Sequence, residues 1–303
     1  MRSVAVLCAV FLATIIVPNI TRAAGPATRP AAKAATQPAK TLTLDLGNSV
    51  TLKLALIPAG KFMMGCPDSE QQDIVKFVMA AAAGVNDDYA RNRFKNETPQ
   101  HEVTITKPFY MGIYDVTQEQ YQQVMGNNPS QFKGAQNPVE MVSWDDAADF
   151  CKKLSAKTGT VVQLPTEAQW EYACRAGTKA PFNTGETINT DQANFDGNYT
   201  YGNGAKGDYR QKTTTVGSFK PNAFGLYDMH GNVCQWCADW FEENYYGRSP
   251  KADPTGPADG TLRVLRGGSW NGRPWYCRSA LRSGASPGAR DGYGGFRVVV
   301  GVD

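Results

Sequence analysis

From Leu42 to the C-terminus, glycine and aromatic residues recur at short intervals, while long stretches of helical or alternating apolar periodicity are scarce. Such a chain is ill-suited to long bundles or wide regular sheets, because glycine weakens element interiors and few amphipathic faces are on offer. It predicts much irregular structure, short strands and a few helices around a core pinned by Trp and Tyr. These roughly 260 residues contain no second linker and no internal repeat, so residues 42–303 are expected to form one unit.

Three helices are marked by capping boxes, in which a hydroxyl takes a free backbone amide and the residue three positions on reaches back. Thr117 with Gln120 opens one that ends near Gly126. Ser143 with Asp146 opens a second, which sets Ala147, Phe150, Cys151 and Leu154 on one face and stops at Gly159. Thr166 with Gln169 opens a third, through Trp170 and Cys174 to Gly177. A fourth follows Asp68 through Ile74, Phe77 and Val78; Ala80 to Gly84 is weakly specified, and this segment up to Asn96 reads as an insertion. Thr41–Leu46, Thr51–Leu56 and Glu102–Thr106 alternate as strands, and Gly295–Val300 is an apolar run suited to a buried strand. Pairing of such distant segments implies an irregular, coil-rich α+β domain with a small, mostly antiparallel sheet.

The N-terminus reads as an export signal: Arg2 precedes an apolar run from Val4 to Val17, and Thr21-Arg22-Ala23 ends in a small residue. Residues 1–23 are assigned to this signal, with Cys8 lost on cleavage, although an uncleaved anchor is the competing reading. Residues 24–41 are Ala/Pro-rich with little to bury, a flexible tether. The expected location is secreted or periplasmic, with no membrane association after cleavage and with disulfides permitted. All five charges before Leu42 are basic and exceed the whole chain's +3, so the domain itself is slightly acidic and offers no nucleic-acid surface.

Near the C-terminus two glycine-rich stretches, Arg266-Gly-Gly-Ser-Trp270 and Gly294-Gly-Phe-Arg297, bracket a single cysteine, Cys277. Cys234-Gln-Trp-Cys237 has the spacing of a redox or zinc half-site, but no second pair accompanies it, and His101 and His230 are the only histidines. Neither histidine sits in a triad pattern, and both are read as structural. Cys66 and Cys151 read as buried structural cysteines. Glu167 and Glu171 share a helix face and are expected to support its N-terminus rather than act as an acid/base pair. The glycine-rich stretches lack the Lys or helix start of a phosphate loop. Between them, Trp270, Asn271, Arg273, Trp275, Tyr276 and Tyr293 give the composition of a recognition surface, with aromatic contact area and adaptable polar groups. The alternative for Trp270 and Tyr276 is simple packing beneath a coil-rich surface.

Ile57-Pro-Ala-Gly60 with Met64-Gly65, Glu97-Thr-Pro-Gln-His101, Tyr114-Asp-Val-Thr117, Asn137-Pro-Val139, Val142-Ser-Trp144, Leu164-Pro-Thr-Glu-Ala168, Trp170-Glu-Tyr172, Asn222-Ala-Phe-Gly-Leu-Tyr-Asp228, Gly231-Asn232 and the two C-terminal stretches occur in order. Together they resemble the sulfatase-modifying-factor family, also called formylglycine-generating-enzyme-like, from about Leu56 to Val300. The resemblance implies a compact, low-helix, C-type-lectin-like fold, often with bound calcium. Enzymatic members use copper held by two cysteines, and oxygen, to turn a sulfatase cysteine into formylglycine. Two thiolates hold soft Cu(I) well, and one holds it weakly.

By that resemblance, Gly272 occupies the first copper position counted from Ser269, and Cys277 the second. Counted back from Ala280-Leu-Arg282, Cys277 falls nearer a family cysteine that forms a structural disulfide, whose partner here would be Cys174. The disulfide is the favoured reading of Cys277, and a surviving catalytic ligand beside Ser269 is the other. Cys234 stands where the enzymes usually have a tryptophan, so an approach to Cys277 that rebuilds a two-thiolate site is a further alternative. One calcium set would be Asn194, the carbonyl of Phe195, Asp208 and the carbonyl of Arg210. A second would be Asp228, the carbonyls of Gly231 and Val233, and Gln235, where the enzymes usually have Glu. Turn formation is the other reading of Asp228 and Asn232. Non-enzymatic relatives present the C-terminal loop as a ligand-binding face. The expected function is therefore a calcium-stabilised binding or accessory module for an exported protein, peptide or other ligand. The alternative is a copper-dependent formylglycine-generating oxidase.

Overall fold

A computed structural model describes residues 40–81 and 86–302; the expected signal, most of the linker and most of the Ala80–Gly84 run lie outside them. In chain order the strands are β1 Thr41–Gly47, β2 Val50–Ile57, β3 Gly60–Met64, β4 His101–Ile105, β5 Phe109–Gly112, β6 Val162–Gln163, β7 Cys234–Trp240, β8 Arg263–Arg266, β9 Ser283–Ala285, β10 Gly294–Gly295 and β11 Val299–Gly301. The helices are α1 Asp68–Ala81, α2 Asp87–Phe94, α3 Gln118–Met125, α4 Trp144–Thr158 and α5 Glu167–Arg175. One antiparallel sheet runs β1-β2-β5-β11-β6, a second β10-β7-β8-β9 with β10 parallel to β7, and β3 pairs with β4 alone. This is the mixed α+β, C-type-lectin-like architecture.

All three capping boxes form, with both reciprocal hydrogen bonds at Thr117, Ser143 and Thr166. Gly126 and Gly159 close α3 and α4 in the left-handed conformation, while Ala176 rather than Gly177 takes that role after α5 at φ 45°. Alternation in β1 and β2 turns Leu44, Leu46, Leu52 and Leu54 inward, onto Tyr121, Phe150 and Leu154 of α3 and α4. The insertion holds α1 as expected and also α2, whose start is capped by Asn86 accepting the Tyr89 amide.

The apolar run Gly295–Val300 is not one strand. Its start pairs with β7 and its end with β5 and β6, so residues 296–298 cross between the two sheets. Arg297 occupies that crossing fully buried, donating to the carbonyls of Gly112 and Tyr227 at 2.8 Å, to Gln235 at 2.7 Å and to Asp115 at 3.2 Å. The Gly112 and Tyr227 carbonyls beside the crossing are thus satisfied by a guanidinium, which a periodicity argument cannot see.

Candidate functional site

The C-terminal glycine pair exists because the chain must pass very close to its neighbours. Gly267 and Gly268 lie at φ 91° and 70°, and a Cβ on Gly268 would stand 2.6 Å from Cys277 Sγ. Immediately outside, Cys234, Gly268, Ser269, Asn271, Gly272, Tyr276 and Tyr293 line a cavity of about 210 Å³, closed by Arg93 from α2. Ser269 donates to Asn271 Oδ1 at 2.7 Å. Arg93 is fixed by donating to Ser283 Oγ at 2.8 Å and to the Arg282 carbonyl at 3.1 Å. It went unnoticed in the sequence because it stands in an insertion without a motif.

Cys234 is half-buried and belongs to the cavity wall; burial pushes its thiol up to about 11, opposed by a hydrogen bond with Ser269. Cys277 is fully buried and is absent from the wall, its Sγ 3.9 Å from the Arg273 carbonyl. Burial first, and the charge of Cys234 next, push the Cys277 thiol well above the ordinary range. The two cysteines are therefore neighbours through Gly268, yet only Cys234 faces the cavity. Only one sulfur lines the cavity, with Gly272 where the resemblance implies the first copper ligand, and one thiolate holds Cu(I) weakly. Among the described residues no group of three or more His, Cys, Asp or Glu is arranged to hold a metal.

The expected Cys174–Cys277 disulfide is not formed, and the six described cysteines are all free. Cys174 Sγ instead faces Ser279 Oγ at 3.6 Å, two residues beyond Cys277, with His230 Nε2 at 3.8 Å. His230 accepts the Asn183 amide at Nε2, 3.0 Å, so its Nδ1 donates to the Cys277 carbonyl at 2.7 Å. Burial lowers His230 to about 4, leaving a neutral ring with that tautomer. Its role is structural, as read. Cys234 and Cys237, three apart on β7, take different environments: Cys234 edges the cavity and Cys237 is buried among α5 and β8 residues. Their spacing forms no chelate because side chains alternate along a strand.

Of the recognition residues, Asn271 is exposed and Trp270, Arg273, Tyr276 and Tyr293 are half-buried. Trp270 donates to the Gly292 carbonyl at 2.8 Å and Arg273 lies 4.4 Å over Tyr199. Tyr276 is stacked by Arg93 at 5.2 Å. Trp275 departs from the expectation: it is fully buried, with Phe77, Tyr199 and Tyr276 rings around it, and belongs to the core. Pro274 starts a 3-10 turn that swings the indole inward.

The two calcium sets differ. Asn194 is fully buried and its Oδ1 has no hydrogen-bond partner among the described residues, a free hard oxygen of the kind Ca²⁺ takes. The other donors the resemblance implies, Asp208 and the carbonyls of Phe195 and Arg210, lie on the same 194–210 segment, with Asp208 exposed. In the second set Asp228 Oδ1 is likewise buried without a hydrogen-bond partner among the described residues, but Gln235 is committed elsewhere. Gln235 Oε1 already accepts from Trp170 Nε1 at 2.6 Å and Arg297 Nε at 2.7 Å, while Nε2 donates to the Asp228 carbonyl. Asp228 takes the Gly217 amide at 2.7 Å, in a turn at φ 54°, and burial raises it to about 6.

Behind the cavity stands a scaffold of buried ion pairs. Arg282 forms a fork onto Glu167 at 2.7 and 2.8 Å, and Arg266 and Arg175 share Glu171 at 2.5 and 2.8 Å. The shared helix face of the two glutamates thus anchors Arg175 of α5 itself, Arg266 of β8 and Arg282 just before β9. Burial raises Glu171's proton affinity, and the two arginines outweigh it, holding the carboxyl below its usual range.

The description "Sulfatase-modifying factor enzyme 1-like domain" matches residues 48–302. The formylglycine-generating enzyme of Streptomyces coelicolor is 38% identical over 175 residues, covering 55% of this chain and 54% of that protein. The serine/threonine-protein kinase pkn1 of Chlamydia pneumoniae is 32% identical over 238 residues, 69% of this chain and 35% of the kinase. The chain therefore spans about half or less of these relatives' length. Among solved structures, Treponema denticola variable protein 1 superposes with TM-score 0.70 at 29% identity, covering 88% of this chain and 100% of that one. PvdO from Pseudomonas aeruginosa gives 0.67 at 29% identity, covering 86% and 98%. On the family match across these residues and the fold shared with those structures, the chain belongs to the sulfatase-modifying factor family.

Proposed function

We propose that this chain is an exported accessory module that binds a segment of another protein at the Ser269 cavity and its rim, without oxidising it. The observation that carries the reading is the single sulfur facing that cavity, with Gly272 opposite and Cys277 behind Gly268. The rim supports recognition: Asn271 offers an exposed amide, and Tyr276 and Tyr293 offer half-buried rings beside Arg93. Rigid aromatics of this kind supply contact area at low entropic cost. Calcium at Asn194 and Asp208 would steady the loop that carries Tyr199 beneath Arg273.

The experiment selects displayed peptides on the mature domain, then repeats binding with Asn271→Ala and Tyr276→Ala. Each substitution is expected to weaken selected peptides about tenfold, with an unchanged melting temperature for exposed Asn271→Ala and a lower one for Tyr276→Ala, whose ring packs on Trp275. A cysteine-containing sulfatase peptide given Cu(I) and oxygen is expected to keep its mass. Replacement of its sulfur by oxygen, or binding indifferent to both substitutions, would overturn the reading.

A further inference from the structure

A second cavity, about 620 Å³, shares no lining residue with the Ser269 cavity and is built largely by the insertion helix α1 and residues 179–203. Its walls combine two kinds of chemistry. Pro67, Ile74, Phe77, Pro181 and Tyr201 make an apolar part, with the Phe77 and Tyr201 rings 5.5 Å apart. Glu70, Asp73 and Glu186 supply three carboxylates against Lys179 in the wall and Lys76 outside it, which faces Asp73 at 3.5 Å.

Glu70 is the informative member. Its side chain is only 13% exposed, and Arg278 reaches one of its oxygens at 3.2 Å. That arginine is already committed to Glu97 by a fork of 2.8 and 2.7 Å. One guanidinium between two carboxylates leaves one negative charge in excess inside the wall. Nearby Cys66 and Tyr201 add no further negative charge, since burial pushes both well above their usual range and keeps them neutral. Burial likewise raises Glu70, with Arg278 opposing. A poorly compensated carboxylate at a cavity wall is stabilised by any cation that can reach it.

We propose that this cavity binds an alkylammonium group, with the ammonium at Glu70, Asp73 and Glu186 nearer the mouth, and the methylene stem along Ile74, Phe77 and Tyr201. A bare divalent ion would lack oxygen ligands on the apolar side. A guanidinium would have no second free oxygen for its fork at Glu70, whereas a point-like ammonium needs only one. Aromatic faces add cation–π attraction. The group can come from a free diamine or from a lysine side chain of another protein.

Calorimetry on the mature chain with cadaverine, Nα-acetyl-lysine methylamide and pentanol separates these cases. Both or either amine is expected to bind at about millimolar affinity or tighter, with pentanol about tenfold weaker. Binding of cadaverine alone identifies a free diamine; binding of the lysine derivative identifies a protein side chain. Glu70→Gln is expected to weaken binding about tenfold, since it removes one charge at close range. The double substitution of exposed Asp73→Asn and Glu186→Gln gives a reading that does not disturb the Arg278 cluster. Equal binding of pentanol, amine binding indifferent to both variants, or no heat up to about 10 mM would overturn the proposal. None of these outcomes bears on the Ser269 cavity.

Discussion

Single atoms decide what the glycine-rich turn can do. At Gly268 a methyl group would meet Cys277 Sγ at 2.6 Å and the Tyr276 carbonyl at 2.7 Å, on a backbone at φ 70°. Gly268→Ala is expected to cost about 2 to 4 kcal/mol, strain and overpacking together, read as a lower urea midpoint. Thiol chemistry follows the same geometry. Cys234 is the one half-buried cysteine among the six described, so native alkylation at pH 8 should label it first and slowly, and all six only after unfolding. Peptide mapping of that reaction also checks that Cys174 and Cys277 are unbridged. The absence of a second loop cysteine is legible at Gly272, whereas the sequence offers Cys234 near that loop only as one alternative, because strand β7 is brought to the turn by pairing with β8 and β10.

At the scale of elements, capping was the clearest signal in the chain. Ser143 and Asp146 satisfy each other's backbone amides, so Ser143→Ala is expected to cost about 1 kcal/mol in denaturant unfolding. Helix α5 behaves differently, because its first turn is tied to β7: Asp239 accepts the Glu167 amide at 2.8 Å. Burial first, and then the charge of Glu167, raise Asp239 to about 8. A carboxyl raised in the folded state contributes stability below its unfolded value near 4, and that contribution is lost as pH rises towards 8. His230, lowered to about 4, acts oppositely and only below about 6.5, so pH 6.5 to 8 excludes it and leaves Asp239 together with Asp115, which burial likewise raises to about 8. Over that window the wild type should lose stability and Asp239→Asn should lose less, by parallel thermal melts. Helix α2 and the split of β10 from β11 were not legible. The first has weak periodicity, and the second depends on where Arg297 finds acceptors.

For the whole molecule, the sheets and the loops between them are held by arginines as much as by apolar contact. Arg266, Arg278, Arg282 and Arg297 are all fully buried, each paired with a carboxylate. The proposed calcium site belongs to this scale, since the 194–210 segment contains no helix or strand of its own. Added Ca²⁺ is expected to raise the melting temperature of the mature chain, and Asn194→Ala to abolish the shift, while Gln235→Ala should lower stability without a calcium dependence. The sequence by itself determined the family, the three capped helices and the lack of a paired loop cysteine, because motifs and caps are local and written in consecutive residues. Only the tertiary structure decided that Trp275 is core, that Gln235 serves Trp170 and Arg297, and that Cys234 lies at the Ser269 cavity. Those outcomes depend on which distant groups a side chain meets, and burial makes each donor and acceptor choose one partner.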